Sequence, residues 1–327
     1  RHGNNIRYCA RMSAWFIWED NYWRRDETRG IYRLAQETVE AMHVEAAALA
    51  DPLRTERRKF ALRSQSRSSL EAMIALAQHQ IEVVLTPDQL DRDPYLLGVT
   101  NGVVDLRDGS FREGRREDYI TKRADVAFDP KAQCPNWIEF QRKITLEEES
   151  VISFKQRAYG YALSGLVEEK MFIAHGDGAN GKSTEGELLY RLIHDYAYAA
   201  DKQLIIANDK ARPGATPEII ALMGKRFVLI NELEDSDHLN ESRVKFCTSR
   251  NTMTGRDLYE KNISFPPTHK PFIHTNHKPR IRGTDHGIWR RVIYLKYGLT
   301  FRDEDKIENY LELFLVPEMP GILNWLI

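Results

Sequence analysis

The sequence predicts an α/β fold, an open and largely parallel sheet with helices on both faces, preceded by a smaller, mainly helical domain with short hairpins. Two observations carry that prediction. From about residue 150 onward, short apolar runs alternate with helical-period segments, at Met171–His175, Phe227–Ile230, Pro271–Thr275 and Val292–Leu295. The first of these runs leads directly into Gly176-Asp177-Gly178-Ala179-Asn180-Gly181-Lys182-Ser183, which fits the phosphate-binding pattern G-x-x-x-x-G-K-[ST] without a mismatch.

The bulk composition bounds the rest. With 327 residues, 42% of them hydrophobic, the chain has material for two cored domains. No run of about 18 apolar residues exists, so no membrane span is expected. The chain opens Arg1-His2-Gly3 with no Met and no apolar leader, and stops inside the apolar run from Gly321 to Ile327; it reads as a piece of a longer protein. Cys9, Cys134 and Cys247 are far apart and lack a C-x-x-C spacing, which argues against a structural zinc site or a disulfide framework and for a reducing cytoplasm. The formal net charge of −1 gives no global sign of nucleic acid, so any such surface must be local.

In chain order, aromatic runs on either side of Glu19-Asp20-Asn21 predict a hairpin whose rings form a small domain's core. Thr28 to about Gln80 is helical in period, broken near Asp51-Pro52. The stretch from Arg54 to Arg67 is strongly basic, read first as a solvated helix face and second as a contact for nucleic acid. Gly102 to Phe111 reads as a second hairpin with an Asp108-Gly109 turn. Composition changes near Phe128-Asp129-Pro130, which places a domain boundary there: residues 1–128, then 129–300, then 301–327 as the start of a further segment.

The chemistry follows from the glycine loop and the strand tips beyond it. Glycines let backbone N–H groups curl around phosphates, and the next helix turns its positive end toward them. Gly176 to Thr184 is therefore the expected nucleotide cradle, with Lys182 reaching β- and γ-phosphate oxygens and the Ser183 hydroxyl suited to Mg²⁺. Glu232, directly after the apolar strand, can hold Mg²⁺ through water or orient the attacking water. Asn276, at the tip of the next strand, can hydrogen-bond that water or a γ-phosphate oxygen. Thr252 to Phe265 reads as a hairpin whose Tyr259 and Lys261 suit a stacking and phosphate contact with a single strand. Arg290 and Arg291 stand just before a strand, where an arginine supplied in trans can neutralise transition-state charge.

In this order the segments resemble the superfamily-3 helicases, and more closely the phage and plasmid primase–helicase family. The resemblance rests on Asn101-Gly102-Val103-Val104-Asp105-Leu106, Cys134-Pro135-Asn136-Trp137, Gly176–Thr184, Asn231-Glu232-Leu233-Glu234, Leu239-Asn240-Glu241, Thr275-Asn276, and Arg282-Gly283-Thr284-Asp285 with Ile288-Trp289-Arg290-Arg291. It implies an AAA+-type P-loop ATPase that assembles as a ring, a hexamer, binds ATP and Mg²⁺, and translocates 3′ to 5′ on single-stranded or forked DNA in a bacterial host's cytoplasm. It also implies a primase upstream and a small DNA-binding domain downstream. On it, Lys182 and Ser183 take the Walker A positions, Glu232 the Walker B acid, Asn276 sensor 1, Arg290 or Arg291 the trans finger, and Lys261 the pore hairpin. Three departures stand out: Asn231-Glu232 replaces a pair of acids, Thr248-Ser249-Arg250-Asn251 stands where a Gly-Gly-Asp turn is common, and Gly186 interrupts the helix after the loop. The rival readings are an ATP-dependent DNA-binding initiator or loader and a P-loop small-molecule kinase.

Overall fold

The chain forms two compact units, one of residues Arg1–Arg92 with Arg115–Thr121, the other of Asp93–Gly114 with Lys122–Ile327. The computed structural model describes residues 1–206, 216–256, 262–281 and 286–327.

In the first unit, β1 (Ile6–Cys9), β2 (Ala14–Glu19) and β3 (Tyr22–Arg25) form an antiparallel meander; helices α1 (Gly30–Ala47), α2 (Leu53–Ser64) and α3 (Arg67–Ala77) follow, then β4 (Val84–Leu85), which joins β1 in parallel. The order is β3-β2-β1-β4. Strand alternation splits the aromatic run between two faces. Ile6 and Trp15 pack with Ile31, Ala35, Val39 and Leu70 of the helices. Cys9, Ala14, Phe16, Trp23 and Leu85 make a second cluster. The hairpin at Asp20-Asn21 and the use of its rings as core are both as expected from the sequence. The helix break at Asp51-Pro52 is also present, and α3 starts on a Ser66 side chain that accepts from Ser69 N at 3.2 Å.

The second unit opens with β5 (Leu96–Val99), β6 (Gly102–Asp105) and β7 (Ser110–Arg112), an antiparallel sheet containing the expected Asp-Gly hairpin, then α4 (Pro135–Ile144) and α5 (Glu149–Leu163). There follow β8 (Met171–His175), α6 (Lys182–Ile193), β9 (Ala197–Ala200), α7 (Pro217–Ile220), β10 (Phe227–Leu233), β11 (His238–Leu239), α8 (Glu241–Cys247), β12 (Met253–Gly255), β13 (Ile263–Phe265), β14 (Lys270–Thr275), β15 (Arg280–Ile281), α9 (His286–Trp289), β16 (Val292–Lys296) and α10 (Met319–Leu326). The main sheet has the order β16-β8-β14-β10-β9, every pairing parallel. Both faces are apolar, as an all-parallel sheet requires. Phe172, Phe227 and Phe272 face Leu188 and Leu192 of α6, with Trp137 and Tyr159 in the same cluster. Met171, Ile173, Val228 and Ile230 face Val244 of α8 and Ile219 of α7. The four strands read from the sequence are all present; β9 is a fifth, unforeseen one, because Ala197-Tyr198-Ala199-Ala200 carries too few large apolar residues to stand out.

The division differs from the expected boundary near residue 128. Leu97, Val99 and Val104 are buried in the same core cluster as Phe172 and Leu188, so the β5–β7 sheet belongs to the second unit. Apolar packing, not the composition change, sets that border.

Candidate phosphate-binding site

The loop after β8 curls because its backbone enters the left-handed region repeatedly: φ is +104° at Gly178, +46° at Ala179 and +81° at Gly181. Successive turns of this kind aim N–H groups into a concavity suited to an anion. Gly181 is the N-cap of α6, so the positive end of a 12-residue helix closes the same concavity. Asn180 is buried beneath it, with its Nδ2 lacking a hydrogen-bond partner among the described residues.

Parallel register brings the other tips alongside. His175 of β8 pairs with Thr275 of β14, and Asn231 of β10 with His274 of β14, so the chain leaves all three strands at one edge. Lys182 is buried, and its Nζ donates to Asn276 Oδ1 at 2.7 Å, Thr275 O at 3.1 Å and Gly176 O at 3.2 Å. Burial pulls this ammonium below its ordinary pKa, with Asp177 opposing. A cavity of about 440 Å³ lies here, lined by Lys182, Ser183, Asn231, Glu232, His274 and Asn276 among others. Glu232 reaches it through a β-bulge: the β10–β14 register shifts between Asn231 and Leu233, and Glu232 itself has φ +62°. A non-glycine residue in that region costs on the order of 1 kcal/mol, strain of the kind stored at functional sites.

The expected residues thus divide into four groups. Lys182, Ser183, Glu232 and Asn276 line one cavity. Of the other cradle residues, Gly176, Asp177, Gly178, Ala179, Asn180 and Gly181 form the loop, with Asp177 and Ala179 exposed, and Thr184 sits in the first turn of α6. Arg290 and Arg291 lie elsewhere: β16 runs parallel to β8 with Val292 opposite Met171, so both arginines stand at the opposite end of the strands, about 16 Å away along five residues. Arg291 is 8% exposed and held by Thr248 Oγ1 at 3.2 Å and Glu169 at 3.2 Å; Arg290 is exposed, its side chain meeting Glu169 at 3.4 Å and its carbonyl accepting from Lys170 Nζ at 2.6 Å. The hairpin strands β12 and β13 pair as expected, but Tyr259 and Lys261 lie outside the described residues, as do residues 282–285.

Sequence reasoning missed what lies behind the loop. Glu185, on the first turn of α6, is fully buried; Lys155 Nζ meets it at 2.7 Å, Gln141 Nε2 donates to it at 2.7 Å, Tyr159 OH donates at 2.9 Å, and Tyr297 OH donates as well. Burial alone drives this carboxyl up, but Lys155 and the hydrogen bonds override it and hold it below its ordinary pKa. Four elements, α4, α5, α6 and the segment after β16, are thereby tied to the phosphate loop's helix. His274 is the second omission. Its ring is buried against α6, burial lowers its pKa to about 4, and its Nδ1 has no partner among the described residues. The signal for it was Gly186: a Cβ there would lie 2.4 Å from His274 Cε1, so the helix interruption is space for an imidazole.

Comparison with known proteins places the chain. Residues 1–146 match the family described as D5 N terminal like. A protein of Acanthamoeba polyphaga mimivirus named as a helicase is 34% identical over 209 residues, covering 62% of this chain and 22% of that protein. One of Invertebrate iridescent virus 6, also named as a helicase, is 24% identical over 254 residues, covering 75% and 26%. One of African swine fever virus named as a primase is 27% identical over 220 residues, covering 65% and 23%. The chain thus spans about a quarter of the length of the curated relatives it matches. Among solved structures, the apo C-terminal region of NrS-1 superposes with a TM-score of 0.59 at 10% identity, over 98% of this chain and 65% of that one, a likeness of fold. The amino-terminal family match and the helicase- and primase-named viral relatives support a phage-type primase–helicase family for this chain.

Proposed function

We propose that the chain is the ATP-hydrolysing motor module of a replicative primase–helicase, with an AAA+-type superfamily-3 core that acts on single-stranded or forked DNA within a ring of identical subunits. The observation that carries this reading is the 2.7 Å hydrogen bond between Lys182 Nζ and Asn276 Oδ1, which joins the loop lysine to a neighbouring strand tip over the cavity that Glu232 also lines. A kinase would have no evident use for that pairing.

The residues fit a nucleotide with Mg²⁺. The loop's left-handed turns and the α6 N-terminus suit phosphate oxygens, and Ser183 and Glu232 offer oxygen ligands in the lining of one cavity. When bound, Mg²⁺ would neutralise charge on the phosphates. Lys182 exchanges its present acceptors for β- and γ-phosphate oxygens; Glu232 orients a water for attack on the γ-phosphorus; Asn276, released from Lys182, holds that water or a γ-oxygen. The attack breaks the bond between the γ-phosphorus and its bridging oxygen, releasing ADP and inorganic phosphate. Arg290 is the more accessible finger candidate, at the far end of the sheet and so presented to a neighbouring subunit. The first unit then serves as a collar or linker, while the stretch expected to begin a further segment packs Leu315, Met319, Ile322 and Leu323 into the core of the second unit.

The test is steady-state ATP hydrolysis with and without single-stranded DNA, beside Lys182→Ala. Hydrolysis stimulated by DNA and abolished in the variant is the expected result. Retained activity in Lys182→Ala would sink the assignment, and hydrolysis indifferent to DNA would exclude a DNA motor.

A further inference from the structure

Helix α2 has an unusual surface for a helix in a folded unit. Of its 12 residues only Ala61 and Ser64 are buried. It carries Arg54, Arg57, Arg58, Lys59 and Arg63 against the single acid Glu56, in a chain whose net charge is −1. Arg54 is paired with Asp51, and just beyond the helix Arg67 pairs with Glu71 at 2.8 Å. Arg57, Arg58, Lys59 and Arg63 make no ion pair among the described residues. Between them Phe60 is 54% exposed and Leu62 60% exposed.

Solubility accounts for the cations taken alone, and the exposed ring among them adds a surface on which a base can stack. The placement of the apolar groups also limits the partner. Phe60 and Leu62 are two positions apart, about 200° around the helix, and the exposed Leu53 on the Phe60 side is separated from it by Glu56 and Arg57, so α2 has no continuous apolar stripe to lay into a groove or a bilayer. What is continuous around the exposed surface is positive charge, with one aromatic ring set within it. That is the chemistry of a single-stranded nucleic acid contact, in which cations meet successive phosphates and a ring stacks on a base.

We infer that α2 is a nucleic-acid contact of the first unit, in which Arg57, Arg58, Lys59 and Arg63 meet the phosphates of a single strand and Phe60 stacks on a base. The contact draws only on residues of the first unit, and it rests on the reading that this protein acts on DNA. All five side chains are exposed, so their replacement leaves the core untouched.

The experiment measures binding of a fluorescein-labelled oligothymidylate by anisotropy across a salt series, with the intact chain, the fourfold variant Arg57→Gln/Arg58→Gln/Lys59→Gln/Arg63→Gln, and Phe60→Ala. ATP hydrolysis without DNA, thermal melting and light scattering accompany each. Losing four phosphate contacts should lower the slope of log affinity against log salt by about 3, at about 0.7 per contact, and weaken binding at least about tenfold at 0.1 M salt. Phe60→Ala should weaken binding about fivefold or more with the slope unchanged. Basal hydrolysis and melting should match the parent. If the parent binds DNA and the fourfold variant binds it with the same affinity and slope, the inference fails while the motor reading stands. If the parent binds no DNA, both fail. A fourfold variant that loses self-association but keeps DNA affinity makes α2 a contact between copies and overturns the inference.

Discussion

Replacing Lys155 with Met tests whether the buried carboxylate under the phosphate loop is held in place by its ion pair. Lys155 and Glu185 side chains are 1% and 0% exposed, with Nζ 2.7 Å from Oε1. Methionine fills much of the lysine's volume, so the change removes the charge and little of the packing. Glu185 keeps hydrogen bonds from Gln141, Tyr159 and Tyr297 but has no cation left to match its charge. Breaking one side of a buried pair costs about 3–5 kcal/mol, which for a domain of this size lowers Tm by roughly 10 °C. The pH dependence separates this from a packing loss. In the parent, the Glu185 pKa is depressed by folding, so its contribution is present above the unfolded-state value and is lost as pH falls through the folded one. In the variant, unopposed burial raises the carboxyl, the fold takes up a proton more readily than the unfolded chain, and the deficit shrinks as pH falls from 8 toward 5. Urea unfolding at several pH values reads this directly, and Lys155→Met/Glu185→Gln should recover much of the loss. A deficit below about 1 kcal/mol, or one equal at pH 5.5 and 8, would refute the charged-pair account.

Two further substitutions probe the same unit. Gly186→Ala would ordinarily gain about 1 kcal/mol inside a helix; here the new Cβ falls 2.4 Å from His274 Cε1, so a net loss of about 1–2 kcal/mol is expected from overpacking. A double-mutant cycle with His274→Ala, followed by thermal melting, should show the two changes costing less together than their sum; strict additivity would show that the contact is not the cause. Arg291→Ala should lower Tm by removing buried bonds to Thr248 and Glu169, whereas Arg290→Ala should leave Tm and nucleotide binding unchanged and reduce hydrolysis. Equal thermal losses would overturn the distinction between a buried and an accessible arginine.

Local and near-neighbour chemistry was legible in the residues themselves. The loop pattern, the apolar run before it and the helical period after it specify a strand, a tight glycine loop and a helix within a few residues of chain, and both hairpins announce themselves through turn residues flanked by apolar runs. Four of the five strands of the main sheet stood out for the same reason: a strand buried on both faces reads as a continuous apolar run, and β9, made mostly of alanine, does not. The approach of Glu232 and Asn276 to the loop was inferable only from the rule that parallel strands deliver their tips to one edge.

Other features depend on residues far apart in sequence and were settled by packing. The strand order decided that Asn276 touches Lys182 while Arg290 and Arg291 do not enter that cavity in their own chain, since β14 and β16 flank β8 but the arginines precede their strand. The β5–β7 sheet joined the second unit because its valines and Leu97 share a core with residues about 70 to 130 positions later. No local pattern marks Glu185 or Lys155, and Gly186 stands out only as an interruption of its helix. They became a buried pair and a seat for His274 only when α5, α6 and β14 closed around them. The reason is range: periodicity and turn chemistry act between residues a few positions apart, whereas burial, charge pairing and steric fit depend on which distant segments the folded core brings into contact.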